Sequence, residues 1–256
     1  METLYIIYFF ICGTVFGSFY NVVGYRVPKG MSIIHPGSHC PSCNHKLTSI
    51  ELIPILSYII QGGKCKNCKT HIPMFYPCFE LMTGLLFVVA YLIFGLTWQL
   101  LIAVTFLSIL IIVILSDFKY MIIPDELLLV GIIMIIAEKS LLFSSTTAFN
   151  ALISGIVAFA VMLFIQLLGD FIFKKESLGG GDIKLMFFIG LCLPLPISVL
   201  PIFLGTFIAL PISIIMMIIK KDHMLAFGPY LSVAAIALFL LQVTSESFYQ
   251  IILKLS

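Results

Sequence analysis

Glu176-Ser-Leu-Gly-Gly-Gly-Asp-Ile-Lys184 decides how this chain is read, because it interrupts a sequence that is otherwise almost wholly apolar. Gly179, Gly180 and Gly181 give the backbone dihedrals that a Cβ would forbid. They deliver Asp182 to the edge of a long hydrophobic segment, where an ionisable side chain is expensive and by default signals function. A carboxylate follows an apolar run as closely at Ser116-Asp117, 65 residues earlier.

Outward from that stretch, the chain has 256 residues, of which 61% are hydrophobic and 10% charged. Mean hydropathy is +1.17. Soluble domains are nearer 45–50% apolar and about 25% charged, and only lipid solvates such an excess. The sequence therefore predicts an all-α polytopic membrane protein. Windows of about 20 apolar residues fall near 4–24, 79–96, 98–116, 126–143, 148–169, 183–199, 201–219 and 226–243, giving eight helices. Pro194, Pro196 and Pro201 separate the sixth from the seventh, one broken helix being the alternative. The first span has neither a positive leader region nor a small-x-small cleavage site, so it reads as retained. The expected organisation is a first helix (1–25), a loop domain (26–78) and a membrane-embedded domain (79–256). No internal repeat stands out. The longest basic runs are the pairs Lys174-Lys175 and Lys220-Lys221, which excludes a nucleic-acid surface.

Positive charge orients such a bundle. Alternate loops collect Arg26, Lys29, Lys46, Lys64, Lys66, Lys69, Lys119, Lys174, Lys175, Lys184, Lys220 and Lys221, leaving Lys139 and Lys254 for the other side. Twelve against two makes the rich side cytoplasmic. Asp117 and Asp182 then share that face.

The loop from Arg26 to Pro77 is too short to bury a sufficient core unaided. It carries Cys40-Pro-Ser-Cys43 and Cys65-Lys-Asn-Cys68, two pairs separated by 21 residues. Four thiolates at two turns suit a tetrahedral zinc ion, and a sphere closed by four cysteines is structural rather than catalytic. A cytoplasmic setting favours metal over disulfide; two redox-active dithiols are the alternative. His39, His45 and His71 could each replace a ligand, although solvated loop histidines are the plainer reading. Cys12, Cys78 and Cys192 read as small buried hydrophobes.

Singly, the aspartates have ordinary explanations. Asp182 could cap a helix, and Asp117 could be a solvated residue paired with Lys119. Asp125, after Pro124, is explained as the N-cap of the fourth span. Together, Asp117 and Asp182 suggest more. Two carboxylates a few ångströms apart cannot both ionise, so one proton is shared. The ionised partner polarises water while the protonated one donates to a scissile carbonyl. Such hydrolysis needs no metal or cofactor. Gly179, Gly180, Gly181, Asp125 and Lys184 are the expected support of the active-site loop.

These residues resemble a known family. Gly17-Ser-Phe-Tyr-Asn-Val-Val23, Arg26-Val-Pro-Lys-Gly30, Cys40-Pro-Ser-Cys-Asn-His45, Leu52-Ile-Pro-Ile-Leu-Ser-Tyr58, Gly63-Lys-Cys-Lys-Asn-Cys68, Tyr76-Pro77 and Glu80-Leu-Met-Thr-Gly-Leu-Leu-Phe87 are similar to the amino-terminal half of type IV prepilin peptidases, GxGD-class aspartic proteases. Asp117, Pro124-Asp125, Gly179-Gly-Gly-Asp-Ile-Lys-Leu185 and Phe227-Gly-Pro-Tyr230 resemble the catalytic half. The resemblance implies that Asp117 and Asp182 form the catalytic pair. It implies substrates that are prepilins or pseudopilins with a short basic leader, cut at the cytoplasmic face of a bacterial plasma membrane after the leader's terminal glycine. Many members also methylate the new N-terminus with S-adenosylmethionine through the half that holds the tetracysteine loop. Phe75 departs from the arginine that several members carry before Tyr-Pro. Glu51, Glu126, Glu176 and Asp222 are candidates for attracting a basic leader. An ion-coupled carrier built on intramembrane carboxylates and a zinc-anchored adaptor without chemistry are the rival readings.

Overall fold

The computed structural model describes residues 1–174, 178–220, 226–244 and 246. Glu176 and Asp222 lie outside the described residues. Every span expected from hydropathy contains a helix: α1 (Glu2–Arg26), α3 (Phe75–Phe94), α4 (Trp98–Tyr120), α5 (Asp125–Leu142), α6 (Ser145–Phe173), α7 (Gly180–Cys192), α8 (Leu200–Lys220) and α9 (Gly228–Leu240), with a short α2 (Leu56–Ile60) in the loop. Five spans among the described residues are long and apolar enough to cross a membrane by themselves: α1 with its 3₁₀ extension to Lys29, α3, α4, α6, and Ile197–Met216. The others are abbreviated or polar for local reasons. α5 carries Asp125, Glu126, Glu138 and Lys139, while α7 and α9 have 13 residues each. α7 stops at Cys192, before Pro194, and a 3₁₀ turn at Ile197–Val199 leads directly into α8. The sixth and seventh predicted spans are thus separate helices.

The chain divides into two compact units, Met1–Leu100 and Leu101–Ser256, so α3 belongs with α1. In the first unit, α1 and α3 pack through a seam of small residues. A Cβ on Gly13 would lie 2.8 Å from the Gly84 Cα, and one on Gly17 would lie 3.0 Å from the Glu80 Cα. Lipid tails are as apolar as the side chains, so close backbone approach at such a Gly-x-x-x-Gly spacing, rather than water exclusion, holds the pair. Tyr91 stacks on Phe9 at 4.9 Å further along the same seam.

In the second unit, α4 forms the interior. Phe106, Leu107, Leu110, Ile111 and Leu115 are fully enclosed, together with Leu185 and Phe188 of α7 and Leu231 and Ala235 of α9. The Phe106 ring lies 5.7 Å from Phe188 and 4.9 Å from Phe239. α6 crosses α7 at paired glycines, where a Cβ on Gly190 would lie 2.7 Å from the Gly155 Cα. α6 also begins at a capped end, the Ser144 hydroxyl accepting the Thr147 N–H at 3.1 Å. Outer faces expose Phe164 and Phe207, as side chains solvated by lipid would be.

Candidate active site and metal centre

Near the end of α4, Ser116 and Asp117 face inward while Lys119 is exposed. Ser116 is fully buried and bonds back to the Val113 carbonyl at 3.1 Å. Asp117 is 5% exposed and accepts the backbone N–H of Gly228. This burial differs from the solvated Asp117 of the plain reading. Met121 adopts a left-handed φ of 53° and turns the chain into Ile123-Pro124. Pro124, not Asp125, occupies the N-cap of α5. Asp125 instead takes a bidentate bond from the Lys184 ammonium, at 2.7 and 2.8 Å, joining α5 to α7. The N-cap reading of Asp125 is corrected accordingly: the proline φ suits the cap backbone and leaves the carboxylate free for Lys184.

Asp182 sits three residues after the N-cap of α7, which is Gly179. Its carboxyl reaches back to accept the Gly179 N–H, the second half of a capping box. It is 8% exposed and lies within Coulombic reach of Asp117. Ile123 is the spacer that sets this arrangement. A Cβ on Gly181 would meet the Ile123 Cβ at 3.1 Å, and one on Gly228 would meet the Ile123 Cδ1 at 2.9 Å and the Asp117 Oδ2 at 2.7 Å. Two segments remote in sequence from Ile123 therefore close on it, and glycine is what lets both approach. Gly228 and Ile123 had no role in the sequence reading. The signal for Gly228 was its place in Phe227-Gly-Pro-Tyr230 before the last span; Ile123 carried none.

The loop brings Cys40, Cys43, Cys65 and Cys68 together, with all four Sγ atoms within 4.8 Å of one another. Cys40 and Cys68 are 3.7 Å apart, and Cys43 and Cys65 are 4.0 Å apart. Metal–sulfur bonds of about 2.3 Å in a tetrahedron set neighbouring sulfurs about 3.8 Å apart, so the cage fits a tetrahedral ion. The two halves repeat each other. The Cys40 N–H bonds to the His45 carbonyl and that of Asn44 to the Cys40 carbonyl; likewise Cys65 to Thr70 and Lys69 to Cys65. Asn44 and Lys69 hold left-handed φ of 56° and 61°, one residue beyond each cysteine pair. This repeat escaped the sequence reading because the halves share little beyond the cysteine spacing. The Thr70 hydroxyl and backbone bring the Cys68 thiol down to about 6, toward the thiolate a metal needs.

Among the described residues no histidine enters the cluster. His39 faces the Gly37 carbonyl at 2.9 Å, and His45 faces Glu51 at 3.3 Å. Glu51 is turned into the loop, its Oε2 accepting the Thr48 N–H and hydroxyl at 2.9 and 2.8 Å, whereas Glu126 is exposed. Cys192 is buried as expected, but Cys12 is half-buried and Cys78 exposed; Cys78 is in the first turn of α3, before the seam closes.

A helical, multi-pass membrane protein that buries two aspartates within electrostatic reach of each other near the ends of its helices defines the class. Residues 11–94 match the Bacterial Peptidase A24 N-terminal domain, and residues 104–218 match the Type IV leader peptidase family; each match falls inside one of the two units. Similar proteins include a prepilin leader peptidase/N-methyltransferase of Bacillus subtilis (strain 168), 42% identical over 184 residues, covering 72% of each chain. Another of that name, from Pseudomonas aeruginosa, is 30% identical over 251 residues, covering 88% of this chain and 86% of the relative. The chain belongs to the type IV leader peptidase family. No solved structure matches. Neither the fold nor the relatives support an ion-coupled carrier.

Proposed function

We infer that the chain is a membrane aspartic endopeptidase that removes the basic leader from prepilins or pseudopilins, with Asp117 and Asp182 as the catalytic pair. The observation that carries this reading is the burial of both carboxyls around Ile123, within electrostatic reach of one another. Two acids so placed hold one proton between them. The ionised member takes a proton from water as the water oxygen bonds to the scissile carbonyl carbon. The protonated member gives its hydrogen to the carbonyl oxygen. Collapse breaks the carbon–nitrogen bond, and the proton gained from water leaves on the amine. The N–H groups of Gly228 and Gly179 point at the two carboxyls and fix their orientation. The Asp125–Lys184 pair supports the glycine segment by tying α5 to the first turn of α7.

The bond would be met at the inner face of a bacterial plasma membrane, the side on which twelve of the 14 basic residues fall. Cys40, Cys43, Cys65 and Cys68 hold zinc, which closes the loop and supplies no chemistry to the peptidase. The names of the relatives extend the reading to methylation of the exposed amine, with S-adenosylmethionine supplying the methyl group.

Incubating the full chain in lipid nanodiscs with a prepilin tests the peptidase reading. The wild type should release the leader, and Asp117→Asn and Asp182→Asn should not. Release by either variant at the wild-type rate would remove that aspartate from the mechanism.

A further inference from the structure

The α1–α3 seam buries a second group of polar atoms that proteolysis does not use. Asn21 is 4% exposed and Glu80 is 8% exposed. Both project from apolar membrane-length helices. The Asn21 amide is turned toward α3, its Nδ2 donating to the Tyr76 carbonyl at 3.4 Å. Its Oδ1 is buried and accepts nothing. Tyr76 lies one helical turn before Glu80, and Ser18, one turn before Asn21, bonds to the Glu80 carboxylate. The Ile55 N–H also donates to Glu80, at 2.7 Å. A carboxylate has about four lone-pair sites, so Glu80 retains room for donors.

The residual character of this face is therefore acceptor upon acceptor. An unmet amide oxygen on Asn21, whose amide bonds one helical turn from a buried carboxylate, calls for a donor, and the carboxylate favours a cationic one. Depth narrows the choice. Glu80 follows the start of α3 by five residues and Asn21 precedes the end of α1 by five, roughly 8 Å inside each helix end at 1.5 Å per residue. Tyr25, one turn beyond Asn21, and Tyr76, one turn before Glu80, stack at 5.5 Å.

We propose that Asn21, Ser18 and Glu80 form the site that takes the free N-terminal ammonium of the processed substrate, with Glu80 as the base for its methylation. This rests on the reading of the chain as a leader peptidase that also methylates. The ammonium gives one proton to the Glu80 carboxylate. The neutral nitrogen then bonds to the methyl carbon of the sulfonium donor, and the carbon–sulfur bond breaks with its electron pair left on sulfur. Asn21 Oδ1 accepts a remaining N–H and orients the nitrogen lone pair.

The full chain in nanodiscs, loaded with zinc, tests this against a synthetic apolar peptide of about 20 residues with a free amino terminus, and against its N-acetyl form. Four quantities are read: methyl transfer, peptide binding, leader release from a prepilin and zinc content. Glu80→Gln keeps an acceptor for Ile55 and loses the base. Methyl transfer should fall on the order of 100-fold, with partial recovery as pH passes the amine's ordinary range of about 7.7–8.0. Leader release and zinc content should not change. Asn21→Ala should raise KM for the peptide more than it lowers kcat. The N-acetyl peptide should bind the wild type at least about tenfold more weakly, one lost charged hydrogen bond. Unaltered methylation by Glu80→Gln overturns the proposal, as does equal binding of the N-acetyl peptide. Parallel loss of leader release and zinc in Glu80→Gln would show a structural group and also overturn it. A wild type that cuts but never methylates overturns this inference and leaves the peptidase reading standing; a wild type that does neither ends both.

Discussion

The tetracysteine loop and the aspartate pair are both polar sites in an apolar chain, yet they are assembled in opposite ways. Each half of the loop site is closed by its own backbone bonds within six residues, Cys40 to His45 and Cys65 to Thr70. The cage then needs only two such halves to meet. The aspartate site has no comparable local closure. It depends on the start of α7 and the start of α9 both reaching Ile123, just past the end of α4, and on glycine wherever a Cβ would intrude. The first site is defined by atoms that bind; the second depends equally on atoms that are missing. Damage to the first should stay local, and damage to the second should reach chemistry before it reaches the fold.

The largest test of that contrast lies in the acids themselves. Asp117→Asn or Asp182→Asn should reduce leader release roughly a thousandfold or more, within the span assigned to positioned acids and bases. Zinc content and protease resistance of the loop should match the wild type. A loop that loosened in these variants would show that the two sites are not independent.

Gly228→Ala comes next. Its new Cβ would stand 2.7 Å from Asp117 Oδ2 and 2.9 Å from Ile123 Cδ1, both mobile ends of side chains, so the fold can yield by rotating the carboxyl and the isoleucine. Thermal stability should fall little while leader release falls about 100-fold, the penalty for roughly 1 Å of misplacement. Gly181→Ala meets only Ile123 and not the acid and should lose less activity. The reverse order would mean that the position of Ile123, rather than the direct contact with Asp117, fixes the geometry.

Stripping the metal should do the opposite. Chelation, or Cys65→Ser, should open the loop to proteolysis between residues 30 and 73, because a site of this kind folds with its ion. Leader release should change by less than about tenfold if the dyad is held independently by α4, α7 and α9. Asp125→Asn breaks an exposed ion pair, whose side chains are 65% and 52% accessible. Such pairs contribute about 0–1 kcal/mol, so a small, salt-sensitive loss in stability is the expected reading.

The sequence announced the two sites to different depths for the same physical reason. Cysteine spacing is a local property, so Cys40, Cys43, Cys65 and Cys68 could be named in advance, and hydropathy placed every long helix. Charge placement predicted Asp117 and Asp182 on one side, and the structure brings them within electrostatic reach; their catalytic pairing stays the proposal. What escaped was what depends on packing. Nothing in Phe227-Gly228-Pro229 says that its N–H meets Asp117. Nothing at Ile123 marks it as the common contact. Lysine at position 69 conceals a left-handed turn that glycine or asparagine would have advertised. The Asp125 side chain was explained by the helix it begins, although its partner lies on another.

Glu51 gives the smallest effect and the sharpest check on how the loop holds itself. The Thr48 amide and hydroxyl, and then His45, keep its carboxyl at about 2, against about 4.3 for an unstructured chain. A depressed value means that its stabilising contribution is complete above the unfolded value and disappears as pH falls from about 4 through about 2. Glu51→Gln should therefore loosen the loop at neutral pH, read by amide exchange at Thr48, and should approach the wild type near pH 2. A difference between the two that stayed constant across that interval would mean the Thr48 contact works through shape alone, and that the loop relies on its metal cage rather than on this charge.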